Sequence, residues 1–135
     1  MSGKPEQKPD PIEASLSPPA DVRTVLVVED DPITAQALRI LLRRSGWIVD
    51  VVGCVADADA YLDSRTPTAL ILDLMLPDGD GAVILQRIRA QEMNIRVTIT
   101  SATGDLARIQ QVKAMKPHAF LRKPIELDDL MNALT

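Results

Sequence analysis

The chain has 135 residues, 46% of them hydrophobic and 25% charged, a balance that suits one globular domain with a single core. A net charge of −4 argues against gripping nucleic acid through its phosphates; the lone Cys54 leaves no basis for an intrachain disulfide or a Cys-based zinc site, and the lone His118 argues against a Ser–His or Cys–His catalytic pair. No apolar run is long enough to cross a bilayer, and Lys4 and Lys8 are not followed by the hydrophobic segment of a secretory signal, so a cytoplasmic protein is expected.

Residues 1–22 contain Pro5, Pro9, Pro11, Pro18 and Pro19 and are expected to form a mobile tail, a leader or a tether, ahead of a domain over 23–135. Thr24–Val28 is a β-branched apolar run typical of a strand buried on both faces. Asp31-Pro32 opens a helix in which Ile33, Ala37, Leu38, Leu41 and Leu42 keep helical spacing until Ser45-Gly46 stops it. Trp47–Val52 reads as a second strand, and Val55–Ser64 as a second helix with Ala56, Ala60 and Leu62 inward. Ala69–Leu72 is a third strand ending at Asp73, followed by a loop with Pro77, Gly79 and Gly81 and a helix near Ala82–Gln91. Ile95–Thr100, Leu106–Met115, Ala119–Arg122 and Leu127–Leu134 continue as strand, helix, strand and helix. Trp47, Tyr61 and Phe120 are the only aromatic residues, so Leu, Ile, Val and Ala must build the core.

Such alternation implies a parallel sheet covered on both faces, whose ligands bind at the carboxyl ends of the strands where the strand order reverses. The residues just past the strands there are Glu29 and Asp30, then Asp73, Ser101 and Lys123. Three clustered carboxylates repel one another unless a cation neutralises them, and oxygen-only ligands suit a hard divalent ion such as Mg²⁺. A hydroxyl and an ammonium beside a metal-bound carboxylate can cradle a phosphoryl group, which the carboxylate could accept. Plainer readings stand beside these. Asp31 reads as a helix cap, Asp78 and Asp80 as turn formers, Glu29 and Asp30 as solvated turn acids, Ser101 as a strand-end serine, Phe120 as core packing and His118 as an exposed loop residue.

The segments VLVVEDDP, LILDLMLPDGDG, TITSA and FLRKPIE resemble, in order, the four signature segments of bacterial response-regulator receiver domains. The 28 residues from Asp73 to Ser101 and the 22 from Ser101 to Lys123 are close to the usual spacing of that family. The resemblance runs from about Thr24 to Thr135 and implies a flavodoxin-like (βα)5 fold, a doubly wound five-stranded parallel sheet in the order 2-1-3-4-5. It implies that Asp73 is the phosphoacceptor and that Glu29, Asp30, Asp73 and the backbone carbonyl of Met75 hold Mg²⁺ or Mn²⁺. Ser101 and Lys123 would contact the phosphoryl group, Phe120 would be an aromatic switch, and the Lys123–Pro124 bond would be cis.

The partners so implied are a histidine kinase or histidine phosphotransfer protein as donor, and a downstream effector or a missing output domain as reader. The face read would be made by the fourth helix, fifth strand and fifth helix, through which a homodimer could also form. No nucleic-acid or membrane contact by this chain is expected. The chain is expected to catalyse its own phosphoryl uptake, and in some measure its loss, rather than to turn over substrate. A phosphatase with an aspartyl nucleophile would place a second acid two residues on, where Met75 stands. An unphosphorylated receiver-like interaction module would be expected to lack a pocket residue, and a dinucleotide site would need a Gly-x-Gly-x-x-Gly after the first strand. Lys116-Pro117-His118 departs from the family's usual Gly-Ala and makes that turn stiffer and more basic. The chain ends 12 residues after Lys123, so the last helix is expected to be short, native or trimmed from a longer regulator.

Overall fold

The computed structural model describes residues 22–135; the expected tail over 1–22 lies, apart from Val22, outside them. Its elements are β1 (Thr24–Val28), α1 (Pro32–Arg44), β2 (Ile48–Val52), α2 (Val55–Ser64), β3 (Ala69–Asp73), β4 (Met75–Leu76), β5 (Gly79–Asp80), α3 (Ala82–Ala90), β6 (Arg96–Ser101), α4 (Leu106–Lys113), β7 (Ala119–Arg122) and α5 (Leu127–Leu134). Five strands form one sheet in the order β2-β1-β3-β6-β7, every neighbour parallel. This is the expected doubly wound, flavodoxin-like order, in which successive strands are added to one side of β1 and then, from β3 on, to the other. The expected loop after Asp73 contains instead a small antiparallel hairpin in which Met75 pairs with Asp80 and Leu76 with Gly79.

Strand side chains alternate between two apolar layers. Leu26, Val28, Leu70, Leu72, Val97 and Ile99 pack against α2, α3 and α4. Val25, Val27, Ala69 and Ile71 pack against Leu38 and Leu42 of α1, Leu130 and Leu134 of α5, and Trp47. Two helix faces differ from expectation. Ala58 and Leu62, four residues apart, bury α2, whereas Ala56 and Ala60 face outward. On α1 the inward residues are Ala35, Leu38 and Leu42, while Ile33 is 80% exposed and Ala37 is also exposed. Alanine weighs little in an apolar stripe, so the larger leucines decide which face turns inward.

Helix ends are closed as the sequence suggests. Asp31 caps α1 by accepting the Thr34 N–H at 3.1 Å, and Gly46, at φ +94°, lets the chain turn back so that the Trp47 N–H reaches the Leu42 carbonyl at 3.0 Å. His118 is exposed but not idle. Its N–H donates to the Val97 carbonyl at 2.8 Å, and its Nδ1 accepts the Val97 N–H at 3.0 Å, which stitches the start of β6 to the turn before β7. Thr98 is fully buried, and its hydroxyl meets no hydrogen-bond partner among the described residues.

Two measurements follow from these contacts. Replacing Thr98 by Val removes an unpaired buried hydroxyl at almost constant shape and should raise the unfolding free energy in urea by about 1 kcal/mol. Burial, then the charges of Arg96 and Arg89, hold the His118 imidazole below its ordinary value of 6.5, and only the neutral ring can accept the Val97 N–H. The unfolded chain therefore takes up the proton first, so this contribution is whole above that value and is lost as pH falls below it. In His118→Ala, stability from about pH 7 to about pH 5 should fall less steeply than in the unaltered chain.

Candidate functional site

The register of the sheet brings the singled-out residues to one edge. Val28 pairs with Leu72, so Glu29 and Asp73 lie side by side where β1 and β3 end. Asp73 pairs with Thr100 and Ser101 with Arg122, which sets Ser101 and Lys123 at the next two strand ends. The Lys123 N–H donates to the Ser101 carbonyl at 2.9 Å and holds β7 in this register.

At the centre, the Lys123 ammonium donates to Glu29 Oε1 at 2.8 Å and to Asp73 Oδ2 at 2.9 Å. The other oxygen of each acid takes a backbone N–H: Asp31 donates to Glu29 Oε2 at 3.1 Å, and Met75 donates to Asp73 Oδ1 at 3.1 Å. Glu29 and Asp73 are each 4% exposed, whereas Asp30 is open to solvent. One oxygen from each of Glu29, Asp30 and Asp73 falls within 4.8 Å of the other two, so the three carboxylates can meet on a single ion. An all-oxygen set with an exposed member suits a hard divalent cation that keeps part of its water shell, and the residues present fit Mg²⁺.

Burial pushes the Glu29 carboxyl above its ordinary range, the Lys123 hydrogen bond pulls it back, and the Asp73 charge adds to the rise. Burial alone would lower the Lys123 ammonium, but its hydrogen bonds to Glu29 and Asp73 outweigh that and raise it. The pair is thus unequal: the lysine is held firmly charged, while one of its acids is under pressure to protonate.

Ser101 is fully buried, and its Oγ accepts the Thr103 N–H at 3.0 Å. Phe120 is half-buried against the layer under α2–α4, with the Lys113 ammonium 5.7 Å from its ring centre. The Lys123–Pro124 peptide is cis, as expected. Met75 directs its side chain outward at 67% exposure and contributes its backbone beside Asp73.

Two acids read as turn formers do more. Asp78 accepts the N–H groups of Val55 and Ala56 at 2.8 and 2.9 Å, capping α2 from a different loop. Asp80 caps the start of α3 through the Ala82 N–H at 2.9 Å and forms an ion pair with Arg108 of α4. Gly81 packs so tightly under the active edge that a Cβ there would collide with the Asp73 carbonyl. The Asp80–Ala82 spacing was readable as a local turn cap, but the Asp78 and Arg108 contacts span 23 and 28 residues and carry no local signal.

These features define a doubly wound α/β domain with an acidic, lysine-bridged site at the carboxyl edge of its central strands. The chain belongs to the response regulator receiver domain family, whose model matches residues 25–135. It is 31% identical over 107 residues to the virulence transcriptional regulatory protein PhoP of Salmonella typhimurium, covering 79% of this chain and 48% of that protein. It is 36% identical over 110 residues to the probable transcriptional regulatory protein y4xI of Sinorhizobium fredii, covering 82% and 47%. The chain therefore spans about half the length of these relatives. Among solved structures, the receiver domain of the Francisella response regulator 1452 superposes with a TM-score of 0.76 at 25% identity, covering 83% of this chain and 93% of that one. The signal receiver domain of a modulated diguanylate cyclase from Desulfovibrio desulfuricans superposes at 0.75 and 28%, covering 84% and 91%. The fold and the two-component signalling class expected from the sequence stand. Among the described residues, no helix is long and apolar enough to cross a membrane.

Lys123→Met would leave two buried acids facing each other without their cation. Its ammonium is partly exposed, so the cost near pH 7.5 should be about 2 kcal/mol rather than the larger penalty of a fully buried pair. Near pH 5 the cost should shrink, because burial and the Asp73 charge, which both raise the Glu29 carboxyl, then act with no cation to oppose them; urea unfolding at both pH values measures the difference.

Proposed function

We propose that this chain is a phosphorylation-operated switch in which Asp73 accepts a phosphoryl group from a phosphohistidine on a kinase or phosphotransfer protein. The observation that carries this reading is the Lys123 ammonium spanning Glu29 and Asp73, 2.8 and 2.9 Å from their oxygens. It sits where the charge of a phosphoryl group on Asp73 would develop, and its neighbours Asp30 and Ser101 supply a further carboxylate and a hydroxyl. An Asp73 carboxylate oxygen attacks phosphorus, the P–N bond to the histidine breaks, and its electron pair returns to the imidazole, leaving an acyl phosphate on the chain.

A divalent cation such as Mg²⁺, held by Glu29, Asp30, Asp73 and the Met75 carbonyl, would neutralise charge on the transferring group. Lys123 can follow the new phosphoryl oxygens without leaving the pocket, because the ammonium already touches the attacked carboxylate. The Ser101 hydroxyl turns from Thr103 toward a phosphoryl oxygen, and Phe120 moves into the space beside it. The readable consequence is a changed surface on α4, β7 and α5, and the added charge is what biases its two states.

The chemistry is self-modification rather than turnover. Met75, two residues beyond Asp73, cannot donate a proton to a departing group as the second acid of an aspartyl phosphatase would. The output belongs to an attached domain or a separate effector; two relatives are named as transcriptional regulators and another as a diguanylate cyclase.

Incubation with beryllofluoride and Mg²⁺ should saturate the unaltered chain and leave Asp73→Asn unbound, read by fluorine NMR. With a small phosphodonor, mass spectrometry should show one added phosphoryl group, absent from Asp73→Asn. An adduct that survives the substitution would sink the assignment, and no modification at all would favour an unphosphorylated interaction module.

A further inference from the structure

Helix α4 is lightly held. Of its eight residues only Ile109 and Val112 are buried, and Leu106 at its start is 71% exposed. Its N-terminal turn is also held by the Arg108 side chain, which forms an ion pair with Asp80 on β5 and donates to Gln111 Oε1 at 2.8 Å. Asp80 is itself a fixed point, because its other oxygen caps α3 and its backbone pairs with Met75 across the hairpin.

A line of hydrogen bonds reaches the same turn from Ser101. The Thr103 N–H donates to Ser101 Oγ at 3.0 Å, and the Asp105 N–H donates to Thr103 Oγ1 at 3.1 Å. Asp105 Oδ1 then accepts the N–H groups of Ala107 and Arg108 at 3.0 and 3.3 Å. Arg108 thus joins two loops: its backbone ends the line from Ser101, and its side chain grips the hairpin that follows Asp73. Between them lies a cavity of about 370 Å³, bordered by Met75, Ser101, Thr103 and Arg108.

We propose that the Arg108–Asp80 ion pair is a latch that holds the first turn of α4 against the β4–β5 hairpin in the unmodified chain. When Ser101 turns toward a phosphoryl group it gives up the Thr103 N–H, the loop to α4 loosens, and the latch is the remaining tether that must yield before α4 moves. A partly exposed pair is worth little against a packed core, but α4 buries so few side chains that a small tether shifts its population measurably. The trigger rests on the Asp73 reading above, whereas the tether is a property of the unmodified chain and is tested there.

The test compares the unaltered chain with Arg108→Ala and Asp80→Asn; the second keeps an oxygen for the Ala82 cap and removes only the charge. Without any phosphodonor, the amides of Ala107 and Ile109, each taken relative to its intrinsic rate, should exchange with deuterium about three-fold faster in each variant, and no faster in the double variant than in either single one. With Mg²⁺ present, the beryllofluoride concentration needed for half-saturation should fall by a similar factor in both. Unchanged exchange in the two variants overturns the latch. A rise in that concentration confined to Arg108→Ala also overturns it, by assigning the guanidinium to the phosphoryl group instead. Failure of beryllofluoride on the unaltered chain strikes the phosphoacceptor reading and leaves the exchange comparison to decide the latch.

Discussion

Everything at the carboxyl edge depends on a single ammonium placed between two buried carboxylates. Glu29 and Asp73 are almost wholly removed from water at the ends of adjacent parallel strands, an arrangement that like charges resist. Lys123 makes it tolerable by donating to both, and it arrives from β7, two strands beyond Asp73 in the sheet. The sheet order, the parallel register and the bond from the Lys123 N–H to the Ser101 carbonyl bring that ammonium there. The same tension leaves the edge ready for more positive charge beside Asp30.

The loops around this edge divide into held and free. Asp78 pins the hairpin loop to α2, Gly81 lets it lie directly against the Asp73 carbonyl, and Asp80 fixes the start of α3. That side is thereby fixed at several points around Asp73. On the other side, β6 leads through Thr103 and Asp105 into a short helix with two buried side chains. Any local opening should therefore begin at this weakly packed end of the structure. Arg108 is where the two sides meet.

Much of this is legible in the amino-acid sequence, and for particular reasons. Thr24–Val28 and Ala69–Leu72 are continuous apolar runs because both faces of a central parallel strand are covered, and Asp31-Pro32 and Ser45-Gly46 mark helix ends through local backbone chemistry. Glu29, Asp30, Asp73, Ser101 and Lys123 stand at or just beyond strand ends, so the parallel sheet brings them to one edge. The faces of α1 and α2 were harder, since Ala37, Ala56 and Ala60 fit a helical stripe as well as Ala35 and Ala58 do. Only packing against the sheet separates them.

The amino-acid sequence by itself determined the alternation of elements, the parallel sheet and the identity of the residues at its functional edge, because periodicity, caps and strand ends are local properties of the chain. Tertiary structure alone decided which oxygen meets which donor. Lys123 bridges 94 residues to Glu29 and 50 to Asp73, Asp78 caps a helix 23 residues earlier in the chain, and Arg108 reaches Asp80 across 28. The His118 bond to Val97 is of the same kind. Such contacts depend on how loops approach after the sheet has formed, and no spacing within a single segment encodes that approach.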